Sequence, residues 1–228
     1  MNPIGNVIGD MLPQAIGVAI SPVPIIAVIL MLFSKRARSN GLAFLAGWVL
    51  ALAVVGTVVL LLAGAGKISA GGTPSTISYL IKLLLGLLFW FLAYRNWEKR
   101  PKAGEEPEMP KWMAAIDSFT AGRALGISAL LAGVNPKNLG LTLAAALTIG
   151  QAGLGGGQSA VALLVFVVIA SASVAAPVLY YLIAGESAAE TLDGWKAWLL
   201  ANNATVMFIL FLVLGAKLVG NGLGGLIG

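Results

Sequence analysis

Two short motifs place prolines and small polar residues inside long apolar stretches: Ser21-Pro22-Val23-Pro24 and Asn135-Pro136-Lys137-Asn138. Proline has no N–H, and its ring clashes with the carbonyl four residues earlier, so each motif frees backbone groups from helical hydrogen bonds. Inside a bilayer such groups need other protein groups or a water-lined cavity as partners. The helix that restarts after a break also presents a positive N-terminus, which suits an anionic group. We predict a substrate-binding site made of Ser21, Pro22, Pro24, Asn135, Pro136, Lys137 and Asn138; two purely structural kinks are the alternative.

Lys137 is the charged residue placed deepest in an apolar stretch. It follows Arg123 by 14 residues, about 21 Å along a helix, which is too deep for snorkelling. A charge at the membrane centre costs roughly 2.5–3.5 kcal/mol on insertion scales, so such a residue usually faces a cavity or a partner. We expect Lys137 to bind an anionic ligand group; pairing with carbonyls that Pro136 frees is the alternative. Lys82, nearer the end of its stretch, is expected to snorkel.

The residues that are missing limit the chemistry further. The chain contains no cysteine and no histidine, which removes thiol chemistry, thiolate and imidazole metal ligands and the usual proton shuttle. No acidic residue lies deep in an apolar stretch, so neither a cationic ligand nor a carboxylate proton or sodium site has a candidate partner. We therefore predict a protein that is not an enzyme and that uses no cofactor and no metal.

The elements that carry these residues are transmembrane helices. Apolar residues make up 59% of the 228-residue chain and charged residues 10%, against roughly 25% charged in soluble domains. The apolar runs are continuous and do not alternate as barrel strands do. An all-α integral membrane protein with six transmembrane helices is predicted, each span being near or above the ~20 residues that a crossing needs. The six spans are residues 11–33, 41–66, 73–94, 124–150, 158–185 and 197–216.

The distribution of basic residues predicts the orientation. Ten of the 14 lysines and arginines fall in the first, third and fifth connections between spans, and few fall on the other side. By the positive-inside rule, these connections are cytoplasmic and both termini are extracytoplasmic. The net charge of +5 is explained by these loops, so no nucleic-acid partner is expected. No charged region precedes the first span as it would in a signal peptide, and we predict a multi-pass protein of the bacterial plasma membrane.

One polar segment divides the chain into two halves. Residues 99–119 contain three prolines and mixed charges, a composition that predicts a cytoplasmic linker, with a short interfacial helix at its end. Residues 1–98 and 120–228 would each hold three spans. Because three is odd, two related halves would have opposite topology. We predict two inverted three-helix repeats in which the first helix of each is broken, a common plan of transporters.

The same motifs resemble those of a known family. The chain is similar to the LysE (lysine exporter) superfamily and, within it, to the GAP/Sap group, the glycopeptidolipid and sulfolipid addressing proteins of actinobacteria. Three segments carry the resemblance: residues 20–25, 44–48 and 133–138. Amino-acid exporters of the superfamily usually have Pro-Gly-Pro where this chain has Val23 between two prolines, which favours the addressing proteins. The resemblance implies the inverted-repeat fold and the export of lipids or glycolipids.

These observations predict a transporter that exports or flips an amphiphilic, anionic lipid or glycolipid by alternating access, with Lys137, Ser21, Asn135 and Asn138 holding the headgroup. A small-solute exporter of the amino-acid type and a structural membrane subunit that transports nothing are the alternatives.

Overall fold

A computed structural model describes residues 3–64, 69–70, 73–74, 76–98, 100 and 111–227. Within them, two 3-10 helices span Lys111–Ser118 and Gly185–Ala188, and a two-residue antiparallel ladder joins Ser69–Ala70 to Thr73–Pro74. The α-helices are α1 Pro3–Ala19, α2 Pro22–Leu32, α3 Ala37–Gly64, α4 Thr76–Glu98, α5 Ala121–Gly133, α6 Pro136–Gln151, α7 Gly156–Ala184 and α8 Ala189–Ile227.

The helices have the lengths and surfaces of a multi-pass membrane protein. In the described part of the chain, three helical stretches are long and apolar enough to cross a membrane: Ala37–Ala63, Thr76–Glu98 and Gly156–Ile227. The bent pair of α1 and α2 provides a fourth. Apolar side chains point outward, with Leu61 68% exposed and Leu84 65% exposed, as a lipid-facing surface requires. The all-α membrane fold is confirmed, while the count of six spans stays a prediction.

Both predicted helix breaks are present. The first apolar stretch bends by 51° between α1 and α2, at Ile20 and Ser21. The stretch that holds the second motif is divided between α5 and α6, at Val134 and Asn135. In each case the second helix starts with a proline, because its fixed φ and missing N–H suit the first helical position.

The packing of the helices relates the two halves of the chain. α1 packs against α7, and the corresponding helix of the second half, α5, packs against α3. α4 packs along α8, so the last helix of one half pairs with the last helix of the other. This exchange of partners is what two related halves would produce. The inverted repeat itself stays a prediction.

Glycines allow two of these helix pairs to approach closely. A methyl group on Gly86 of α4 would lie 2.7 Å from the Val219 backbone nitrogen of α8, and one on Gly222 of α8 would lie 2.8 Å from the Leu83 nitrogen of α4. On α3, a methyl group on Gly47 would clash with the Leu125 carbonyl oxygen of α5. Small residues at such contacts let backbones meet, the usual source of helix association in membranes.

The end of the predicted linker packs onto the bundle. Met113 and Ile116, on the 3-10 helix Lys111–Ser118, are buried in the main hydrophobic cluster, and this helix contacts α2. The Asn40 side-chain amide donates a hydrogen bond to the Phe119 carbonyl at 3.0 Å. This part of the segment is therefore held in place. Residues 101–110 lie outside the described residues.

Candidate functional site

The first break leaves the carbonyls at the end of α1 in need of donors. In a continuous helix, residues 22 and 24 would donate to the carbonyls of Val18 and Ile20, but both are prolines. The Ser21 hydroxyl lies 2.6 Å from the Val18 carbonyl and donates to it. The Ala19 carbonyl accepts from the Ser173 hydroxyl of α7 at 2.5 Å and from the Ser21 amide at 2.8 Å. The remaining carbonyls, of Gly17 and Ile20, are bonded by a residue of the other half.

That residue is Lys137. Its Nζ donates to the Ile20 carbonyl at 2.6 Å, to the Gly17 carbonyl at 2.8 Å and to the Ser21 hydroxyl at 2.7 Å. An ammonium group has three N–H donors, so these bonds use them all. The charge also lies at the negative end of the α1 dipole, which stabilises it. Lys137, only 6% exposed, thus ties the second break to the first. Its carbonyl partners belong to the first break and not, as the alternative interpretation had it, to the one made by Pro136.

The second break is capped by its own asparagines. The Asn135 side-chain oxygen accepts from the Lys137 amide at 3.0 Å, which caps the start of α6. The Asn138 amide donates to the Leu131 carbonyl of α5 at 2.9 Å. Its oxygen lies 3.1 Å from the Ser21 hydroxyl, which has one hydrogen to share between Asn138 and Val18. Asn138 is buried and joins both breaks.

A cavity of about 100 Å³ lies where the two breaks meet. Six of the seven residues predicted for the site line it: Ser21, Pro22, Pro24, Asn135, Lys137 and Asn138. Pro136 does not line it and is exposed at the start of α6. The cavity is large enough for a few water molecules, each of which takes about 30 Å³ in the liquid. We call it the central cavity.

Several residues of this region were not predicted from the sequence. Met207 and Phe211 of α8 line the central cavity, four residues apart on one helix face. Ser173 donates to the first break, although in the sequence it stands among small packing residues. Nothing in the sequence distinguishes Met207 and Phe211, because α8 is apolar along most of its length around them. The only available signal was the polar side chain of Ser173 within an apolar helix.

Lys82 is buried and its ammonium lies at the end of α6, while the expectation that it snorkels stays a prediction. Its side chain is 8% exposed, and its Nζ donates to the Gln151 side-chain oxygen of α6 at 2.8 Å. The lysine stem therefore turns into the bundle, where an amide acceptor is available.

The site is electropositive and contains no recognisable metal ligands. Among the described residues, no group of three or more histidine, cysteine, aspartate or glutamate side chains could hold a metal ion. The chemistry that the central cavity offers is hydrogen bonding from an ammonium, a hydroxyl and two amides. Fold and site together define a multi-pass helical membrane protein in which two broken helices meet around a buried cation.

The chain belongs to the Sap, sulfolipid-1-addressing protein family, whose sequence model matches residues 11–224. This confirms the resemblance to the addressing proteins, whereas the wider placement in the LysE superfamily stays a prediction. No curated protein and no solved structure matches the chain.

Proposed function

We propose that the protein is a transporter that exports or flips an anionic, amphiphilic lipid or glycolipid across the plasma membrane by alternating access, without an enzymatic step. Membership of a family whose name refers to the addressing of a sulfolipid supports the substrate class. One observation carries the mechanism: Lys137 stands at the second helix break, and its buried ammonium bonds to the first break.

Exchange of hydrogen-bond partners at Lys137 couples binding to movement. All three of its N–H groups are engaged by α1 and Ser21, so an anionic headgroup has to replace at least one of these acceptors. A sulfate or phosphate oxygen forms a stronger, charge-assisted bond than a neutral carbonyl does. The replacement frees the end of α1 from α6. Substrate binding thereby loosens the contact between the two halves, which is the differential interaction that a population shift requires.

The size of the central cavity requires such a movement. At about 100 Å³ it is too small for a glycolipid headgroup, so the described conformation is a closed one. The breaks supply the hinges, because α2 and α6 can change direction at Ser21 and Asn135 without breaking further helical bonds. Met207 and Phe211 provide an apolar wall against which acyl chains can lie.

The orientation belongs to the proposal. The basic residues of the first, third and fifth connections place these on the cytoplasmic side and both termini outside. Under this orientation α2 leads from the central cavity to the cytoplasm and α1 leads outward.

Reconstitution into liposomes tests the proposal. A fluorescent nitrobenzoxadiazole-labelled phosphatidylglycerol is distributed over both leaflets, and dithionite quenches the outer one; flipping makes the protected fraction accessible. Wild-type protein should flip the anionic lipid much faster than the labelled phosphatidylcholine. Lys137→Met should reduce the rate per folded molecule by roughly a hundredfold, since about 2–3 kcal/mol of charge-assisted binding is lost. Lys137→Arg should retain part of it, because the charge remains.

The matched control is Lys196→Met, since Lys196 lies on the surface and pairs with Asp193. It should flip the anionic lipid as wild type does. A wild-type rate for Lys137→Met at equal amounts of folded protein would refute the anion site. Equal rates for both lipids would refute the charge selectivity.

Two observations also suit other functions, and each of these functions would give a different result in a transport assay. The small volume of the central cavity also suits a small-solute exporter, which would move radiolabelled amino acids and no lipid. The complete bonding of Lys137 also suits a structural subunit, which would move neither. Among the described residues, no carboxylate faces the central cavity to pair with an amino acid's ammonium, which favours the lipid.

A further inference from the structure

A second polar cavity, which we call the outer pocket, lies between α1, α4, α6 and α8. Its volume is about 330 Å³, roughly three times that of the central cavity. The polar residues that line it are Asp10, Lys82, Thr148, Gln151, Lys217 and Asn221. None of them belongs to the predicted site. In a bundle of apolar helices, a polar cavity of this size needs an occupant that its side chains can hold.

Several hydrogen-bond donors at the outer pocket lack an acceptor among the described residues. Lys82 uses one N–H on the Gln151 oxygen, and its other two have no acceptor among the described residues. The Gln151 side-chain nitrogen is buried and also lacks an acceptor within the part of the chain that the structure describes. Lys217 donates to the Asp10 backbone carbonyl at 2.8 Å. Buried donors without acceptors are costly, so the missing partner is a group rich in acceptor oxygens.

The charged residues of the outer pocket also favour a ligand rich in acceptor oxygens. Two lysines face the outer pocket with one carboxylate, that of Asp10, so the lining carries one excess positive charge. Neither lysine forms a salt bridge with Asp10: in the described residues the ion pair within 4.0 Å is that of Lys196 with Asp193. Asp10 is exposed and leaves the buried end of the pocket to Lys82. A buried ammonium that forms no ion pair within 4.0 Å favours an anionic ligand.

The outer pocket and the central cavity share two of their helices. α6 and α8 line both, whereas α1 lines the outer pocket and α2 lines the central cavity. From Asp10 to the end of α1 at Ala19 is about 14 Å along the helix axis. Between them Leu141 of α6 and Leu214 of α8 lie so close to Gly17 that an added methyl group would approach them to 2.8 and 2.6 Å. These side chains fill the space beside Gly17, between the levels of the two cavities.

We propose that the outer pocket is a second binding site, for a single oxyanion group such as a sulfate, phosphate or carboxylate, held by Lys82, Gln151 and Lys217. It goes beyond the proposed function, which concerns the central cavity, and rests on it only for the expectation that the oxyanion is a lipid headgroup. In that role the outer pocket holds the headgroup on the other side of Leu141 and Leu214 from the central cavity.

Equilibrium binding in a maltoside detergent tests the site without requiring transport. Dioctanoyl phosphatidylglycerol is titrated into the full-length protein and adducts are counted by native mass spectrometry. Lys217→Met should weaken binding of one lipid equivalent by about tenfold, since one charge-assisted contact is lost. The double variant Lys82→Met/Lys217→Met should abolish that equivalent, and Lys217→Arg should preserve it. Lys196→Met, whose lysine lies away from the outer pocket, should bind as wild type does.

Two further arms identify the ligand chemistry. Dioctanoylglycerol, which has the same acyl chains and no oxyanion, should not occupy the outer pocket. Sodium sulfate, measured by isothermal titration calorimetry, shows the source: Lys217-dependent sulfate binding assigns a site for free oxyanions, and binding of the lipid alone assigns a headgroup site. Phosphatidylglycerol binding that is unchanged in Lys217→Met and in the double variant overturns the proposal. So does equal binding of dioctanoylglycerol, which carries no oxyanion. Because the readout is equilibrium binding, either result leaves the flipping assay to decide the proposed function separately.

Discussion

At the scale of single residues, Lys137 satisfies two requirements of the fold at once. A buried ammonium needs acceptors, and the carbonyls of a helix broken by prolines need donors. Lys137 meets the carbonyls of Gly17 and Ile20 from the opposite half of the chain. In the closed conformation it is thus a structural residue. Under the proposed mechanism it becomes a ligand when an anion replaces those carbonyls.

This double role predicts a loss of stability as well as of transport. Lys137→Met leaves two buried carbonyls without a donor, at about 1–3 kcal/mol each. The thermal midpoint in detergent should fall by several degrees, whereas Lys137→Arg should lose less, because its guanidinium still donates. Lys196→Met removes a surface ion pair worth at most about 1 kcal/mol and serves as the control. An unchanged midpoint for Lys137→Met would show that the three bonds contribute nothing to the closed state.

At the scale of elements, the breaks create half-helices whose ends carry the polar groups. α1 ends where Pro22 and Pro24 remove donors, and α6 begins where Asn135 caps it. The remaining helices hold these ends in register. Trp48 of α3, which belongs to a motif singled out in the sequence, is buried and donates to the Ala170 carbonyl of α7 at 3.4 Å. α4 and α8 form the other tight pair, through Gly86 and Gly222.

Two glycines on one helix allow the α4–α8 contact to be tested. Gly222→Ala places a methyl group 2.8 Å from the Leu83 backbone nitrogen, so the helices have to separate, at a cost of about 1–3 kcal/mol. Gly220→Ala, two residues away, meets nothing within 4 Å and should be neutral or stabilising, since alanine favours helix over glycine by about 1 kcal/mol. Thermal denaturation of both variants in detergent provides the comparison. Equal midpoints for the two would contradict the close packing of α4 and α8.

At the scale of the whole molecule, the bundle has polar groups at two depths and an apolar surface around them. The central cavity lies at the breaks, and the outer pocket lies at the ends of α1, α6 and α8. Asp10, Gln151 and Lys217 each stand one residue outside a predicted span, so three separate span boundaries meet at one level. The span limits themselves stay a prediction.

The predicted orientation determines on which side of the membrane the C-terminus lies. If the connections rich in lysine and arginine are cytoplasmic and six spans cross the membrane, a reporter fused after residue 228 lies outside. An alkaline phosphatase fusion there should be active and a green fluorescent protein fusion dark, while fusions in the linker at residues 101–110 should show the reverse. A fluorescent C-terminal fusion would contradict the orientation or the even number of spans.

The breaks were predictable because proline acts locally. Pro22 and Pro136 indicate where a helix is interrupted. Lys137, directly after Pro136, indicates that a polar partner is near. The family motifs were readable for the same reason. The partners were not predictable: Lys137 bonds to residues more than 100 positions away, and Lys82 bonds to Gln151 at 69 positions' separation. Such pairs depend on how helices pack, which hydropathy does not describe.

Under the proposed mechanism, the three bonds of Lys137 also determine what fraction of the substrate-free molecules is open. Bonds to a charged group contribute about 1.5–3 kcal/mol each, so losing all three without a replacement would cost roughly 5–9 kcal/mol. By the relation between free energy and populations, fewer than roughly one unloaded molecule in a thousand would then be open at any moment. A membrane that contains this protein would therefore keep its permeability barrier. The substrate-free molecule would stay closed to ions and water until an anion replaces the hydrogen-bond partners of Lys137.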